Sequence, residues 1–560
     1  MKNKPLLLLL IIGTLTWSIT MVKSGWQYAF GLGFWGPNGH DGIWHLAIAD
    51  SLARGSLGMP IFAGEQLKNY HIGFDLLLAA IHKATFIPVS LLYFQILPPI
   101  LAFFIGWLTY KFVNEWTNSK VAAWWSTFLV YFGGSWGPIV SLVRYDTVGN
   151  ESMFWAQQAV STLINPPFAL SLVVLLCSVC LLKWYVKKPT LGNLLIVTLL
   201  FGLLTQVKVY AGVLSLVALF TAGALQLIKE KKTDIVKLFF SSFVLSLILF
   251  VPLNQGSTSL IVFQPFWFLE TMMAVSDRVN WPRFFEAVMN YKTGGVWWKL
   301  IPAYTVAFLI FWFGNLGIRA IGHFQTWKIL KKQEPMGLFL WVIAIIGTIL
   351  PMLFLQKGTP WNTIQFFYYS IFIMSIFAGG PLAKWTSAKN NRVRVSVLLI
   401  VLLLTFPTVY ATLRNYLPSR PPAKLSNEEV EALSYLAKEP QGVVLTYPFD
   451  QYAANQAVRN PPRPLYLYES TAYVSAYAGK PVFLEDEVNL NITDYNWKAR
   501  RKAVEEWLNT SDQKQAYKFL RDNNIKYIYW VKGQRAVLGE AQLGISRLFE
   551  NKAIDVYKVD

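Results

Sequence analysis

Two histidines and two aspartates lie close together in the stretch GHDGIWHLAIAD, which begins at Gly39. Asp41 and His45 are four residues apart, so a helix through this stretch places them on one face. A carboxylate beside an imidazole can accept a proton from a hydroxyl group or bind a divalent metal ion. Asp41 has two interpretations at this point: a helix N-cap, which Asp favours, or a reactive carboxylate.

The elements that position these residues are two predicted amphipathic helices. Ile43, Leu46, Ile48 and Leu52 give the first helix an apolar side. The second lies in IGFDLLLAAIHKATF, which begins at Ile72. We interpret both as helices that lie at the outer membrane interface without crossing the membrane.

The rest of the chain is typical of a membrane protein. Of its 560 residues, 54% are hydrophobic and only 14% are charged, whereas soluble proteins carry about 25% charged residues. The apolar residues form blocks long enough to cross a hydrocarbon core about 30 Å thick. We predict a polytopic α-helical protein of about 11 transmembrane helices. The predicted spans are 5–22, 89–111, 120–141, 166–186, 190–206, 209–228, 236–253, 300–320, 337–356, 364–383 and 395–413.

The formal net charge of +19 falls entirely in the first 420 residues, because residues 421–560 contain 18 Lys/Arg and 18 Asp/Glu. Much of the excess lies in short loops, as the positive-inside rule predicts, and it indicates no nucleic-acid partner. Placing those loops in the cytoplasm puts the N-terminus inside and the C-terminal domain outside the plasma (inner) membrane. Cys177 and Cys180 lie within an apolar run and are interpreted as packing residues.

The composition divides the chain into two domains. Residues 1–416 form the transmembrane domain, whose first outer loop is 23–88. Residues 421–560 form a soluble extracytoplasmic α/β domain, which follows a Pro-rich linker and opens with a helix capped by Ser426. Short apolar strands alternate with helices in this domain, and we expect a mostly parallel sheet. It contains no His, no Cys and no Gly-rich phosphate loop, so we find no self-contained active site in it.

The stretch HDGIWHLAIADSLARGSLGMPIFAGEQLKNYHIGFDLLLAAI resembles the first outer loop of the GT-C glycosyltransferases. The likeness is greatest to the aminoarabinose and protein O-mannosyl transferases, which take sugars from polyprenyl phosphate. The resemblance implies a GT-C fold with Asp41 as the catalytic carboxylate. The family often has a second acid directly afterwards, where this chain has Gly42. His40 or His45 is then the candidate for a replacement ligand or proton acceptor.

The resemblance implies further substrate-binding residues outside that helix. His71 is expected to line the same cavity as Asp41. Lys208, in GLLTQVKVYAG, either extends its ammonium to the membrane interface or contacts a lipid-linked phosphate. Lys357 and Gln365, in QKGTPWNTIQFFYY, occupy a position where relatives contact the lipid phosphate. Arg144 of the second outer loop is another candidate.

The resulting hypothesis is an inverting glycosyltransferase that moves a sugar from a polyprenyl-phosphate-linked donor at the outer face of the membrane. Asp41 acts as base or metal ligand, with Mg²⁺ or Mn²⁺ as the candidate cofactor. The acceptor is a lipid, a glycan or a protein, and membrane lipid surrounds the enzyme. This hypothesis requires Asp41, Lys208 and Lys357 to converge on one outward cleft. The alternatives are a transporter or flippase for lipid-linked glycans, and a non-catalytic scaffold whose outer domain binds a partner.

Overall fold

The computed structural model describes residues 4–255, 260–538, 542 and 546–559. The chain forms two compact units. The first comprises residues 1–20, 98–252 and 257–416, and the second comprises 21–97, 253–256 and 417–560.

The helices confirm an integral membrane protein of many spans. Among the described residues, nine helices are long and apolar enough to cross a membrane. They are Lys4–Val22, Val89–Thr117, Pro166–Lys187, Val209–Glu230, Asp234–Leu253, Trp297–Lys332, Pro335–Leu353, Pro360–Thr386 and Asn391–Tyr416. The other two predicted spans are the pair Lys120–Phe132 and Gly137–Tyr145, bent by 47°, and the 17-residue helix Leu191–Val207. Each of the eleven predicted spans therefore corresponds to a helix or a bent helix pair.

The helix Gln365–Thr386 lies in the middle of the first unit. In the span Pro360–Thr386 the most apolar window is 78% buried, against 22% in Asp234–Leu253, so the former is central and the latter peripheral. The Ser126 hydroxyl donates to the carbonyl of Ile376 at 2.8 Å. A Cβ at Gly379 would lie 2.1 Å from the Ser126 Oγ, so a glycine is needed where these two helices approach closely.

Shorter elements join the spans of the first unit. The strands Ile261–Phe263 and Phe354–Gln356 pair antiparallel, and the helices Trp267–Ala274 and Pro282–Thr293 follow the first of them. Asn165 accepts a hydrogen bond from the backbone N–H of Phe168 and thereby caps the span Pro166–Lys187.

The first sheet of the second unit joins distant parts of the chain. Its strands, in spatial order, are Trp26–Tyr28, Gly31–Phe34, Ala423–Leu425 and Arg463–Pro464. Gly31–Phe34 pairs antiparallel with Ala423–Leu425. The loop 23–88 belongs to the unit that contains the C-terminal residues, and the predicted domain boundaries stay a prediction.

The second sheet corrects the expectation of a mostly parallel arrangement. Its spatial order is Val443–Thr446, Ile525–Val531, Ile554–Lys558 and Ser546–Glu550. Only the first pair is parallel, and the other two are antiparallel. Residues 551–553 alone connect Ser546–Glu550 to Ile554–Lys558, and a connection this short cannot carry a parallel crossover.

Helices surround the two sheets of the second unit. Ser426 and Glu429 form the capping box of the helix Asn427–Lys438, as the sequence predicted for Ser426. The helices of this unit are Asp41–Ala53, Gly73–Thr85, Asn427–Lys438, Gln451–Ala457, Leu465–Tyr468, Tyr473–Ala478, Glu487–Ile492, Trp497–Asn509 and Gln513–Asp522.

Candidate active site

The helix Asp41–Ala53 exposes its first residue and buries most of the others. Nine of its 13 residues are buried, whereas the Asp41 side chain is 55% exposed. Asp41 is the first helical residue and His40 occupies the N-cap position, with no side-chain capping bond. The N-cap interpretation of Asp41 was therefore wrong, and its carboxylate stands at the helix N-terminus, where a negative charge is favourable.

His40 connects Asp41 to a carboxylate from the C-terminal part of the second unit. Its Nδ1 lies 3.0 Å from Asp41 Oδ1 and its Nε2 lies 3.1 Å from Asp486 Oδ1. Burial lowers the pKa of His40, but the charges of Asp486 and Asp41 outweigh burial and raise that pKa well above its usual value. His40 thus lies between two carboxylates, and its raised pKa favours the imidazolium form, which can donate one hydrogen bond to each of them.

Asp486 is held in place by its own segment. It adopts a left-handed backbone conformation with φ of 50° at the N-cap of the helix Glu487–Ile492. Its Oδ1 accepts the backbone N–H of Asn489 at 3.1 Å, and its Oδ2 accepts the side-chain amide at 2.8 Å. The backbone N–H of Glu485 donates to the carbonyl of Ile61 at 3.1 Å. The first loop and the Asp486 segment are therefore fixed to each other within this unit.

A third carboxylate, Glu469, lies beside this cluster. Burial raises the pKa of Glu469, the His40 charge lowers it, and the charges of Asp41 and Asp486 raise it further. Sequence reasoning missed both Glu469 and Asp486. The available signal was the run Glu485-Asp486-Glu487, three consecutive acids directly after the apolar PVFL.

His45 belongs to a different pair. Its Nδ1 lies 2.7 Å from Asp75 Oδ1, and both side chains are buried. The ring stacks on Tyr93 at 5.5 Å between centroids. Since Asp75 belongs to the helix Gly73–Thr85, this contact joins the two helices of the first loop. The carboxylate that contacts His45 is thus Asp75, and the imidazole that contacts Asp41 is His40.

His71 lies on the His45 side of the first loop. Its ring stacks on Tyr70 at 4.9 Å between centroids, and the Tyr70 hydroxyl lies 3.4 Å from His45 Nδ1. The role predicted for His71 in lining a cavity with Asp41 stays a prediction.

Lys208 and Gln365 meet through one asparagine in the first unit. Lys208 is the cap residue between the helices Leu191–Val207 and Val209–Glu230, and it is only 5% exposed. Its ammonium donates to Asn165 Oδ1 at 3.3 Å, and the Asn165 amide donates to Gln365 Oε1 at 3.3 Å. The burial of Lys208 in this polar network argues against the interpretation that its ammonium extends freely to the membrane interface.

The other two predicted cations lie elsewhere in the first unit. The side chain of Lys357 is exposed, and its backbone N–H donates to the carbonyl of Leu260 at 2.8 Å. Arg144 donates to the backbone carbonyls of Val279 and Asn280. Asp41 lies in the second unit, so the predicted convergence of Asp41, Lys208 and Lys357 stays a prediction.

No group of three or more His, Cys, Asp or Glu side chains in the described part of the chain is arranged to hold an ion. Both ring nitrogens of His40 face carboxylates, so neither is available as a ligand. The Mg²⁺ or Mn²⁺ requirement stays a prediction.

Comparison with solved structures identifies the fold. The oligosaccharyltransferase of Archaeoglobus fulgidus in its apo form aligns with 95% of this chain and 70% of its own length, with a TM-score of 0.52 and 11% identity. The same enzyme in complex with Zn and sulfate aligns with 98% of this chain and 73% of its own, with a TM-score of 0.51 and 12% identity. These enzymes are GT-C glycosyltransferases. The chain has the GT-C fold.

The predicted GT-C resemblance is thus confirmed at the level of the fold. ArnT from Cupriavidus metallidurans in the apo state also aligns, over 99% of this chain and 97% of its own, with a TM-score of 0.48 and 10% identity. No family model and no curated protein matches the sequence. The comparisons therefore establish the fold of this chain, and its biochemical function is a proposal.

Proposed function

We propose that this chain is a GT-C-type glycosyltransferase that moves a sugar from a polyprenyl-phosphate-linked donor to an acceptor at the outer face of the membrane. The observation that carries the proposal is the exposed Asp41 carboxylate, held by the buried His40 ring in a chain with the GT-C fold. A carboxylate at a helix start that is fixed on one side and accessible on the other suits proton transfer from a bound hydroxyl.

The reaction is a single displacement. The acceptor oxygen attacks the anomeric carbon while the bond from that carbon to the phosphate oxygen breaks, and its electron pair leaves with polyprenyl phosphate. The acceptor proton passes to the Asp41 carboxylate, and the anomeric configuration inverts. His40 is a positioning residue, because its hydrogen bond to Asp41 Oδ1 fixes the carboxylate.

Negative charge develops on the departing phosphate, and a fixed cation lowers the cost of that charge. Lys208 is our candidate for this role because Asn165 holds its buried ammonium. Gln365 supports Asn165 from the other side. Lys357 and Arg144 remain candidate contacts for the lipid phosphate.

We also propose the orientation of the chain in the inner membrane. Eleven crossings from a cytoplasmic N-terminus leave residues 417–560 outside, and they leave the first loop on the same side. An outward site suits a lipid-linked donor, because nucleotide sugars are cytoplasmic. A cysteine introduced at Ser511, an exposed position of the second unit, should react with a membrane-impermeant maleimide in intact cells or spheroplasts.

The decisive experiment compares two aspartates of the same helix. A strain that lacks the gene is complemented with wild type, Asp41→Asn or Asp50→Asn, and its envelope glycans are analysed by mass spectrometry. Asp50 is the control because it pairs with Arg54, the residue at the C-cap of this helix. We expect Asp41→Asn to reduce the transferred sugar by at least about 100-fold, and Asp50→Asn to restore it. Full restoration by Asp41→Asn would refute the proposal and favour a transporter or a scaffold.

A further inference from the structure

The second unit contains a cavity of about 120 Å³ at one edge of its second sheet. The parallel strands Val443–Thr446 and Ile525–Val531 end at this cavity, and ligands in α/β proteins often bind at the carboxyl ends of parallel strands. About 10–15 Å³ of such volume holds one water molecule, so the cavity can take a polar molecule of several heavy atoms.

Five acidic side chains line the cavity, and four of them are bound by protein groups. The four pairs are Asp450 with Arg535, Glu487 with Arg501, Asp486 with His40, and Glu485 with the backbone N–H groups of Val474 and Ser475. The fifth, Glu469, forms no hydrogen bond or ion pair with the described part of the chain, and it lines the same cavity. Glu469 is therefore available to accept hydrogen bonds from a ligand.

Two buried hydroxyl groups of the lining also lack a partner. Tyr529 is 1% exposed and Thr471 is 4% exposed, and neither hydroxyl has a hydrogen-bond partner in the structure. A buried polar group without a partner costs free energy that a bound ligand or water recovers. Both residues belong to the cavity wall, but their hydroxyl oxygens have almost no accessible surface, so a side-chain rotation is needed before either can bond to a ligand.

The charge of the lining disfavours an anionic occupant. Arg535 is the one Lys or Arg among the described lining residues, and Asp450 already pairs with it. The rings of Tyr466, Tyr473 and Tyr529 add apolar faces. Carboxylates, hydroxyls and aromatic rings together match the hydroxyl groups and C–H faces of a sugar ring.

We propose that this cavity binds an uncharged sugar unit of the acceptor, an inference that rests on the proposed transferase activity. Asp486 lines the cavity and contacts His40, and His40 contacts Asp41. One continuous chain of contacts therefore joins the acceptor cavity to the base. The acceptor class is a neutral glycan, and the donor phosphate does not bind here.

The test uses the purified full-length protein in lipid nanodiscs and saturation-transfer difference NMR. The probes are the methyl glycosides of glucose, galactose and mannose, with methyl glucuronide as the anionic counterpart. Tyr529→Phe removes the unpartnered hydroxyl of the cavity. Tyr477→Phe is its matched control, because the Tyr477 hydroxyl is also buried without a partner but lies outside the cavity lining.

We expect at least one neutral glycoside to bind, and methyl glucuronide to bind more weakly. Tyr529→Phe should weaken the binding about 2- to 10-fold, the effect of one lost hydrogen bond, and Tyr477→Phe should leave it unchanged. Thr471→Val, at the second hydroxyl, should weaken it similarly. Absence of binding by every neutral glycoside, equal effects of the two tyrosine variants, or tighter binding of the glucuronide would overturn the inference.

Asp41→Asn separates this inference from the proposed function. It should retain glycoside binding while it loses transfer in the complementation experiment. Loss of transfer by Asp41→Asn without any glycoside binding leaves the transferase standing and rejects the cavity assignment. Glycoside binding with full transfer by Asp41→Asn rejects the catalytic role and keeps the cavity as a sugar site.

Discussion

Gly42 occupies the position where the GT-C resemblance implies a second acid, and the structure leaves no room there for a side chain. A Cβ at Gly42 would lie 2.9 Å from Cε1 and from Cζ of Phe94, and 3.3 Å from Cε1 of Tyr93. Phe94 is fully buried, and its ring packs edge-on against Tyr93 with 4.9 Å between centroids. The ring therefore has little freedom to move away, and we predict that Gly42→Ala destabilises the protein.

The magnitude follows from two opposing effects. Gly→Ala inside a helix usually stabilises it by about 1 kcal/mol, whereas inserting a methyl group into a packed core costs about 1–3 kcal/mol. Gly192 is the matched control, because it is also the second residue of its helix and nothing lies within 4 Å of its Cβ position. The difference between Gly42→Ala and Gly192→Ala therefore isolates the clash, at about 1–3 kcal/mol.

The assay is thermal unfolding of the purified protein, followed by tryptophan fluorescence. For a domain of 150–250 residues, 1 kcal/mol shifts the Tm by about 2–4 °C. Gly42→Ala should lower the Tm, Gly192→Ala should not, and Gly42→Asp should lower it further because it also buries a carboxylate. Combining Gly42→Ala with Phe94→Leu should cost less than the sum of the two single changes. A Tm for Gly42→Ala at or above that of Gly192→Ala would refute the steric explanation.

Three further predictions concern the remaining polar groups. Asp75→Ala leaves the buried His45 without its hydrogen-bond partner and should cost about 1–3 kcal/mol in thermal unfolding, with a smaller loss for Asp75→Asn; equal Tm values for the two variants would contradict this role. Burial raises the pKa of Glu485 to about 8, so the folded state keeps a proton that the unfolded state loses, and stability should fall between about pH 4.5 and pH 8. Glu485→Gln should flatten that profile, and an unchanged slope would exclude Glu485 as its source. Lys208→Met should reduce envelope glycosylation in the complementation assay far more than Lys357→Met, because the Lys208 side chain is buried and bonded to Asn165 whereas the Lys357 side chain is exposed; equal losses would exclude a special role for Lys208.

Features that depend on neighbouring residues could be predicted from the sequence. The helix start at Ser426 follows from a side chain that binds a backbone N–H three residues on, and the structure contains that capping box. Asn165 opens its helix by the same contact. The spans follow from the length of each apolar run. In each case the residues that determine the element lie within the element or next to it.

Sheet pairing and the composition of the site depend on contacts between distant residues. The strand Ile554–Lys558 is recognisable from its sequence, but its antiparallel pairing with Ile525–Val531 is set by the chain path between them. His40 and Asp486 are separated by 446 positions. No local pattern indicates which of several acids will contact which histidine, so sequence spacing paired Asp41 with His45 whereas the structure pairs it with His40.

The contacts of Gly42 and His40 also explain why this chain has a glycine where the resemblance implies a second acid. The resemblance implies two acids at adjacent positions of one helix, and the Phe94 ring occupies the space that the second would need. The second carboxylate near Asp41 comes instead from Asp486, and the ring of His40 lies between the two. The raised pKa of His40 favours an imidazolium, which balances part of the negative charge of the two carboxylates. The first loop therefore depends on the C-terminal residues of its own unit to complete the candidate site.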